Sequence, residues 1–447
     1  MRYGDAADNL QRIRAESAVD AGRGWVSLKQ SKQILSILLL AFLLRASPNV
    51  WLELQEPGWH ASHINEIEFY YDDVARSLIV GGGFVHSVNP RSPNAEFGFL
   101  PGTPFHFVPP LYAWLLGLEY FVFGPNVFVA KLVHSAVDSL ACLLVFLIGV
   151  KFFDRRTALI AALLYAIYPL AIVTSTRLYY QTLLNLALCW IVLCLAGRQT
   201  VKNGLWAGIA VGVSALAKPV TLPLIALIPA VRLIEGMRVR AALRPHVLWS
   251  MAFVTACILT LAPWTIRNYM VFHGFVPVQS GAGPVLVQGS KEDYIDLDVA
   301  TIRERYGPTF GLSPQEYTSA ALNNHWTHLR TDPIDYVRFL GKKFLLAWYN
   351  TEGKENNTRA LLAQLPFLLA ALLGFFCMSS WTRPPHWYVL GLILYISALQ
   401  VALFPLVRYT LAVMPLVMLP AAVGVNLVVE RLRLSHKSNR TADAYSS

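Results

Sequence analysis

The sequence predicts an all-α integral membrane protein of about ten transmembrane helices, with both ends on the cytoplasmic side. Three observations carry that prediction. Of the 447 residues, 55% are hydrophobic and only 14% are charged, against about 25% charged in an average soluble domain. The apolar residues gather into about ten runs near the length of roughly 20 residues that a spanning helix needs. The 37 Lys and Arg, against 27 Asp and Glu, concentrate on one side of the layout that those runs define. Soluble globular and disordered classes are excluded by the same numbers. The net charge of +10 follows from topology and calls for no nucleic-acid partner.

Residues 1–32 are polar and rich in Arg and Lys, too long and mixed for a signal peptide, and read as a cytoplasmic tail. The polytopic membrane domain covers 33–429, beginning with a span at 33–51. Further spans are expected at 127–150, 157–174, 179–196, 204–217, 219–235, 246–263, 360–378, 387–404 and 409–429, with 430–447 a second cytoplasmic tail. The pair 204–217 and 219–235 reads as a hairpin pinched at Lys218-Pro219. Two outer loops result, 52–126 and the longer 264–359 before the last three spans. Cytoplasmic segments then hold 20 of the cations and short outer segments seven, while the long loop, which escapes the rule, holds ten. The apolar stretch 109–124 is short, and counting it as a span would place Lys151, Arg155, Arg156, Arg238, Arg240 and Arg244 outside. It is read as an interfacial helix on the outer face, its Trp and Tyr suited to headgroup level. The long outer loop has helix-like stretches at 314–330 and 333–349. The five cysteines lie in apolar stretches without metal-ligand spacing.

The first outer loop is dense in acids: Glu53, Glu56, Glu66, Glu68, Asp72, Asp73 and Glu96. Within it, Ile67, Tyr71, Val74 and Leu78 recur at helical spacing, so 66–78 is expected to be an amphipathic helix, ended by Gly81-Gly82-Gly83. Glu66, Tyr70 and Asp73 flank one side of the stripe and Glu68 and Asp72 the other, so one acid pair is expected to face a given cleft. Such carboxylates either are solvated on a surface helix or serve as a general base at the membrane face. Spacing alone leaves both open.

A set of runs in a fixed order narrows the choice. EFYYDDVARSLIVGGGF, FVPPLYAWLLGLEYFVFG, ALIAALLYAIYP, TRLYYQTLL and PWTIRNYMVFHGFVPVQSGAGPVLVQG together resemble the C-type (GT-C) membrane glycosyltransferases. Within them the likeness is to the protein O-mannosyltransferase and aminoarabinose transferase group, glycosyltransferase family 39. It covers about 66–410, and no single run is diagnostic. The resemblance implies a GT-C-like fold with interfacial helices in the first outer loop, and transfer of a sugar from a polyprenyl-phosphate donor. It also implies a multi-pass plasma (inner) membrane location with the active site facing the extracytoplasmic side. The acceptor would be a lipid, glycan or protein, with membrane lipids as the remaining partners. Aligned on Ala75-Arg76-Ser77-Leu78, the family's key aspartate falls at Ile67, so Glu68 and Glu66 on either side both qualify as base, Glu68 being preferred. Asp72 and Asp73 complete the catalytic set. Segment 176–183 resembles a stretch that often carries a second acid, and Gln181 stands there instead, which puts full activity in doubt.

Basic residues on the outer side oppose the charge rule and so are informative. Arg267, Arg408, Lys218 and Arg177 are candidates for holding the leaving phosphate, Arg being able to bind two oxygens at once. Each singly could instead snorkel to headgroups. Tyr70 is a candidate for stacking on sugar. The sequence points to no certain cofactor; the clustered acids admit a divalent metal, although the group resembled is not generally metal-dependent. His60, His63, His86 and His106 lack the spacing of a helix-borne metal pair and read as surface or core residues. The rival reading is a transporter or lipid flippase, which calls for ionisable residues within spans, of which His134 and Asp138 are the clearest. A non-catalytic protein of the same fold is the third.

Overall fold

Long apolar runs can satisfy their backbone in lipid only as helices, and helices dominate the computed structural model. It describes residues 28–86, 102–105, 107–238, 243–279, 282–295, 314–351, 353–377 and 384–446. The expected N-terminal tail up to residue 27, Glu96 and His106 lie outside the described residues. Helix α1 is Leu28–Gln55, followed by the short α2 (Trp59–Ser62) and α3 (Glu66–Ile79). Then come α4 (Pro110–Phe123), α5 (Val127–Phe152), α6 (Arg155–Ala166), α7 (Pro169–Thr174) and α8 (Gln181–Leu195). Helices α9 (Val201–Ala217), α10 (Leu224–Arg238) and α11 (Leu243–Phe272) follow. The segment expected as the long loop holds α12 (Ala282–Ser290), α13 (Glu292–Ile295), α14 (Pro314–Thr331) and α15 (Pro333–Leu346). The chain finishes with α16 (Asn357–Cys377), α17 (Pro384–Ala402), the short α18 (Val407–Thr410) and α19 (Met414–Ser446).

Among the described residues, six helical stretches are long and apolar enough to cross a membrane: Ser31–Gln55, Val127–Phe152, Pro219–Arg238, Leu243–Phe272, Lys354–Cys377 and Val407–Arg433. The other expected spans are shorter helices. The 157–174 run is broken into α6 and α7 at Pro169, whose ring and missing N–H interrupt a helix. The pinch at Lys218-Pro219 is present, with Lys218 extended and a 3₁₀ turn at Pro219–Thr221. The last helix does not stop at 429 as expected; it continues to Ser446.

Close approach of α9 and α11 depends on glycine. A methyl at Gly204, Gly208 or Gly212 would lie 2.6 Å from Trp249 O, 2.2 Å from Phe253 O and 2.6 Å from Thr260 Cβ, respectively. These glycines recur every four residues, one stripe of a helix, as in small-residue packing in membranes.

Polar pins fix the rest. Arg45 of α1 is fully buried, and its Nε donates to Asp138 Oδ2 of α5 at 2.6 Å. Its other nitrogens donate to the carbonyls of Ala41, Ala166 and Tyr165. Tyr165 and Asn185 also donate to Asp138, drawing α6 and α8 to the same carboxylate. A small cavity adjoins this pin, lined by Tyr168, Thr174, Gln181, Asn185 and Leu411 among others. A second pin joins α4 to α5. Glu119 Oε2 lies 3.0 Å from His134 Nε2, and the Tyr112 hydroxyl lies 3.1 Å from His134 Nδ1. The two ionisable residues that a transporter would have used are therefore held in helix-to-helix contacts.

Candidate active site

Helix α3 starts where its sequence provides a cap. Asn65 Oδ1 accepts from the Glu68 amide at 3.0 Å, satisfying one of the donors that open a helix. It ends at Val80, and Gly81 and Gly83 follow at φ 77° and 81°, a region that favours glycine. The helix is not solvated. Glu68, Asp72 and Asp73 are 0%, 5% and 3% exposed, so both flanks of the apolar stripe are covered. The reason is tertiary: Lys131, Arg177 and Tyr120 of α4 close on the Glu68–Asp72 flank, while Phe105 and Phe107 pack against Tyr70 on the other.

Glu68 is the acid that cations surround. Arg177 Nη1 meets its Oε1 at 3.2 Å and Lys131 Nζ its Oε2 at 3.5 Å, and both Lys131 and Glu68 are fully buried. Behind them, His60 Nε2 lies 2.9 Å from the Asn49 carbonyl, so that nitrogen carries the proton. His60 Nδ1 is then the acceptor facing Lys131 Nζ at 3.3 Å. Burial holds His60 below its ordinary pKa, with the Lys131 charge adding to the effect, consistent with this neutral tautomer. Carboxylate, ammonium and imidazole thus form one buried row. Lys131 and His60 were not singled out from sequence as site residues. The signal available was a lysine in the first turn of a span on the outer side.

Asp72 has a different setting. Arg76 Nε donates to its Oδ2 at 2.8 Å and the Tyr120 hydroxyl to its Oδ1. Glu68 and Asp72 thus each face cations or donors of the chain itself. The Glu66 side chain lies outside the described ones.

The short turn between α7 and α8 ties Glu68 to the distant end of the chain. Asn65, which caps α3, also donates through Nδ2 to the Tyr179 hydroxyl at 2.6 Å. The Arg408 guanidinium lies 5.9 Å from the Tyr179 ring centroid and 5.0 Å from that of Tyr409, whose hydroxyl accepts from Arg408 Nη2 at 3.0 Å. Lys218 Nζ lies 4.6 Å from the Tyr180 ring and 5.4 Å from the Tyr409 ring. Gln181 is buried; its Nε2 donates to the Arg408 carbonyl at 3.3 Å, while its Oε1 has no hydrogen-bond partner among the described residues. Tyr71, on α3 itself, is buried beside Arg408 and Tyr409, and burial raises its pKa well above the ordinary value, so it stays a neutral phenol. Glu68, Arg177, Lys218 and Arg408 are therefore brought into one neighbourhood, lined by Tyr71, Tyr179, Tyr180 and Tyr409.

Two expected members are engaged elsewhere. Arg267 donates to the Phe84 carbonyl at 3.0 Å and the Phe105 carbonyl at 3.4 Å, and stacks on Trp264 at 4.8 Å. It clamps the bridge between Val85 and Pro104 in the first loop. Tyr70 is packed against Phe105 and Phe107 at 5.8 and 5.4 Å, a core position.

Residues 108–265 match the family of dolichyl-phosphate-mannose-protein mannosyltransferases. No curated protein sequence matches the chain significantly. Among solved structures, the apo oligosaccharyltransferase of Archaeoglobus fulgidus superposes with a TM-score of 0.54 at 17% identity, over 92% of this chain and 52% of that one. ArnT from Cupriavidus metallidurans, bound to undecaprenyl phosphate, gives 0.53 at 14% identity, over 88% and 58%. The oligosaccharyltransferase AglB of A. fulgidus, with an inhibitory peptide and a dolichol-phosphate, gives 0.54 at 16%, over 93% and 52%. The chain spans little more than half the length of these structures. It has the fold of the C-type membrane glycosyltransferases, and over residues 108–265 it resembles the mannosyltransferase family of that superfamily.

Proposed function

We propose that this protein is a membrane glycosyltransferase that moves a sugar from a polyprenyl-phosphate donor to an acceptor hydroxyl or amine. The site would face the extracytoplasmic side of a plasma membrane, with both termini cytoplasmic. The cation bias of the short loops supports that orientation, and the match to a dolichyl-phosphate-mannose family supports a lipid-phosphate donor. The observation that carries the reading is the buried Glu68 carboxylate paired with Arg177, next to a tyrosine cluster (Tyr179, Tyr180, Tyr409) on which Lys218 and Arg408 lie.

In the proposed reaction Glu68 takes the proton of the acceptor as it attacks the anomeric carbon. The bond between that carbon and the phosphate oxygen breaks, and the polyprenyl phosphate leaves with the bonding electrons. Arg408 and Lys218 offset the charge that grows on the leaving oxygen, an effect strongest in a site that excludes water. Arg177 has a double use. Its side chain is 42% exposed while Glu68 is fully enclosed, so a swing of Arg177 toward the phosphate would both uncover Oε1 and add a cation. Lys131, held by His60, stays beside Oε2 after Arg177 leaves. Asp72 and Asp73 are supporting residues in this scheme, and Arg267 a holder of the first loop. A hexosyl or a pentosyl group would be served alike by these contacts.

The test is transfer of radiolabelled sugar from a polyprenyl-phosphate donor in proteoliposomes. Wild type is expected to transfer and E68Q to lose about 10²–10⁴-fold. Full activity in E68Q would remove Glu68 from the role of base. Gln181, in place of a second acid, favours one alternative, a non-catalytic protein of the same fold; its signature would be donor binding without turnover in wild type.

A further inference from the structure

A second cluster of chemically suitable side chains lies in the 282–346 platform, apart from Glu68. Glu292 of α13, His328 of α14 and Asp335 of α15 place one ligand atom each within 4.8 Å of one another. His328 Nε2 and Asp335 Oδ2 are 3.0 Å apart. One imidazole and two carboxylates from three helices form the donor set of a transition-metal ion such as Zn²⁺. With metal–ligand bonds of about 2.0–2.2 Å, tetrahedral ligand atoms sit about 3.4 Å apart. The cluster needs a contraction of about an ångström, which exposed Glu292 and the 40% exposed Asp335 can make by rotamer changes.

The imidazole is already oriented. Helices α14 and α15 meet across the single residue Asp332, whose Oδ1 caps α15 by accepting from the Ile334 and Asp335 amides at 3.1 and 2.9 Å. That corner sets Asp335 opposite His328. The His328 ring is held against Tyr336 and Phe339, at centroid distances of 5.4 and 5.2 Å. A surface ion pair alone would need only His328 and Asp335. Glu292 adds a second carboxylate to the same imidazole, which costs repulsion without a cation and gains a ligand with one.

We propose that Glu292, His328 and Asp335 bind a divalent transition-metal ion, with water completing its coordination, and that the ion latches α13 to the α14–α15 corner. The latch bears on the Arg408 segment through packing. Tyr294, two residues beyond Glu292, shares an apolar cluster with Phe339, Leu346, Phe404, Leu406 and Tyr409. Tyr409 adjoins Arg408 and accepts its hydrogen bond. Gly289, at the end of α12, sits so close to the Leu403 backbone that a methyl would meet it at 2.4 Å. Lys343 donates to the Gly289 carbonyl from the other side. The metal therefore stiffens the platform on which the Arg408 segment rests. This proposal stands whether or not the protein transfers sugar.

Isothermal titration calorimetry of Zn²⁺ into chelator-stripped, full-length protein in detergent tests it. One saturable equivalent is expected in wild type, together with a rise in melting temperature on adding Zn²⁺. E292Q alters an exposed residue and is expected to fold; it and H328N should each weaken binding tenfold or more, roughly the least that second-shell changes cost. E68Q and D72N should bind Zn²⁺ as wild type does. The proposal is overturned if no saturable binding occurs, if E292Q and H328N bind like wild type, or if E68Q or D72N is the variant that loses the equivalent.

Discussion

Arg177, Lys131 and His60 give Glu68 a fully buried setting in which its charge is matched from two sides. Removing one member of a buried pair leaves an uncompensated charge, which costs about 3–5 kcal/mol. K131M is therefore expected to lower stability markedly, and K131M/E68Q to recover part of the loss; thermal melts in detergent would show this. R408A is expected to cut transfer by about 10²–10³-fold through loss of phosphate stabilisation, with R408K restoring only part because Lys lacks the bidentate fork. Steady-state kinetics with a fixed acceptor would read both. At this scale the sequence was informative in type and weak in geometry. Glu68, Arg177, Lys218 and Arg408 were all picked out from sequence; Arg177 meets Glu68, and Lys218 and Arg408 share the Tyr409 ring. Arg267 has the same chemistry and the same side, yet serves two backbone carbonyls, because the first loop folds over it, and no local spacing encodes that.

Helix α3 shows why element existence was legible and element surroundings were not. Its period, cap and terminating glycines are local, and Glu66–Ile79 follows them. Its enclosure depends on residues from far along the chain: Lys131, Arg177 and Tyr120 on the Glu68–Asp72 flank, Phe105 and Phe107 against Tyr70 on the other. The glycine stripe on α9 is a comparable case of a non-local demand. G208V would drive a side chain into the Phe253 carbonyl and is expected to destabilise by about 1–3 kcal/mol or more, readable as a lower melting temperature. In the outer platform, the fully buried Lys343 has its pKa lowered from 10.5 to about 7 by burial. The unfolded state then binds more protons than the folded one between pH 7 and 10.5, so platform stability rises with pH across that window and is flat below it. K343M is expected to flatten that rise in melting curves taken between pH 7 and 9.5.

The whole molecule is held by a few intramembrane polar contacts as well as by apolar packing. Arg45 and Asp138 bind α1, α5, α6 and α8 at one point. R45M is expected to cost about 3–5 kcal/mol, whereas R45M/D138L, which removes both charges, should be closer to wild type. Composition identified a polytopic membrane protein, and the charge asymmetry supplied an orientation. Helical breaks at Pro169 and Lys218 shortened several runs, so run length alone does not fix the number of crossings. The account's central claim concerns chemistry at Glu68, and sugar transfer in proteoliposomes is its most direct measurement. With polyprenyl-phosphate sugar as donor, wild type should label an acceptor while E68Q, folded and still binding donor, should not. Equal transfer by the two proteins would contradict the account.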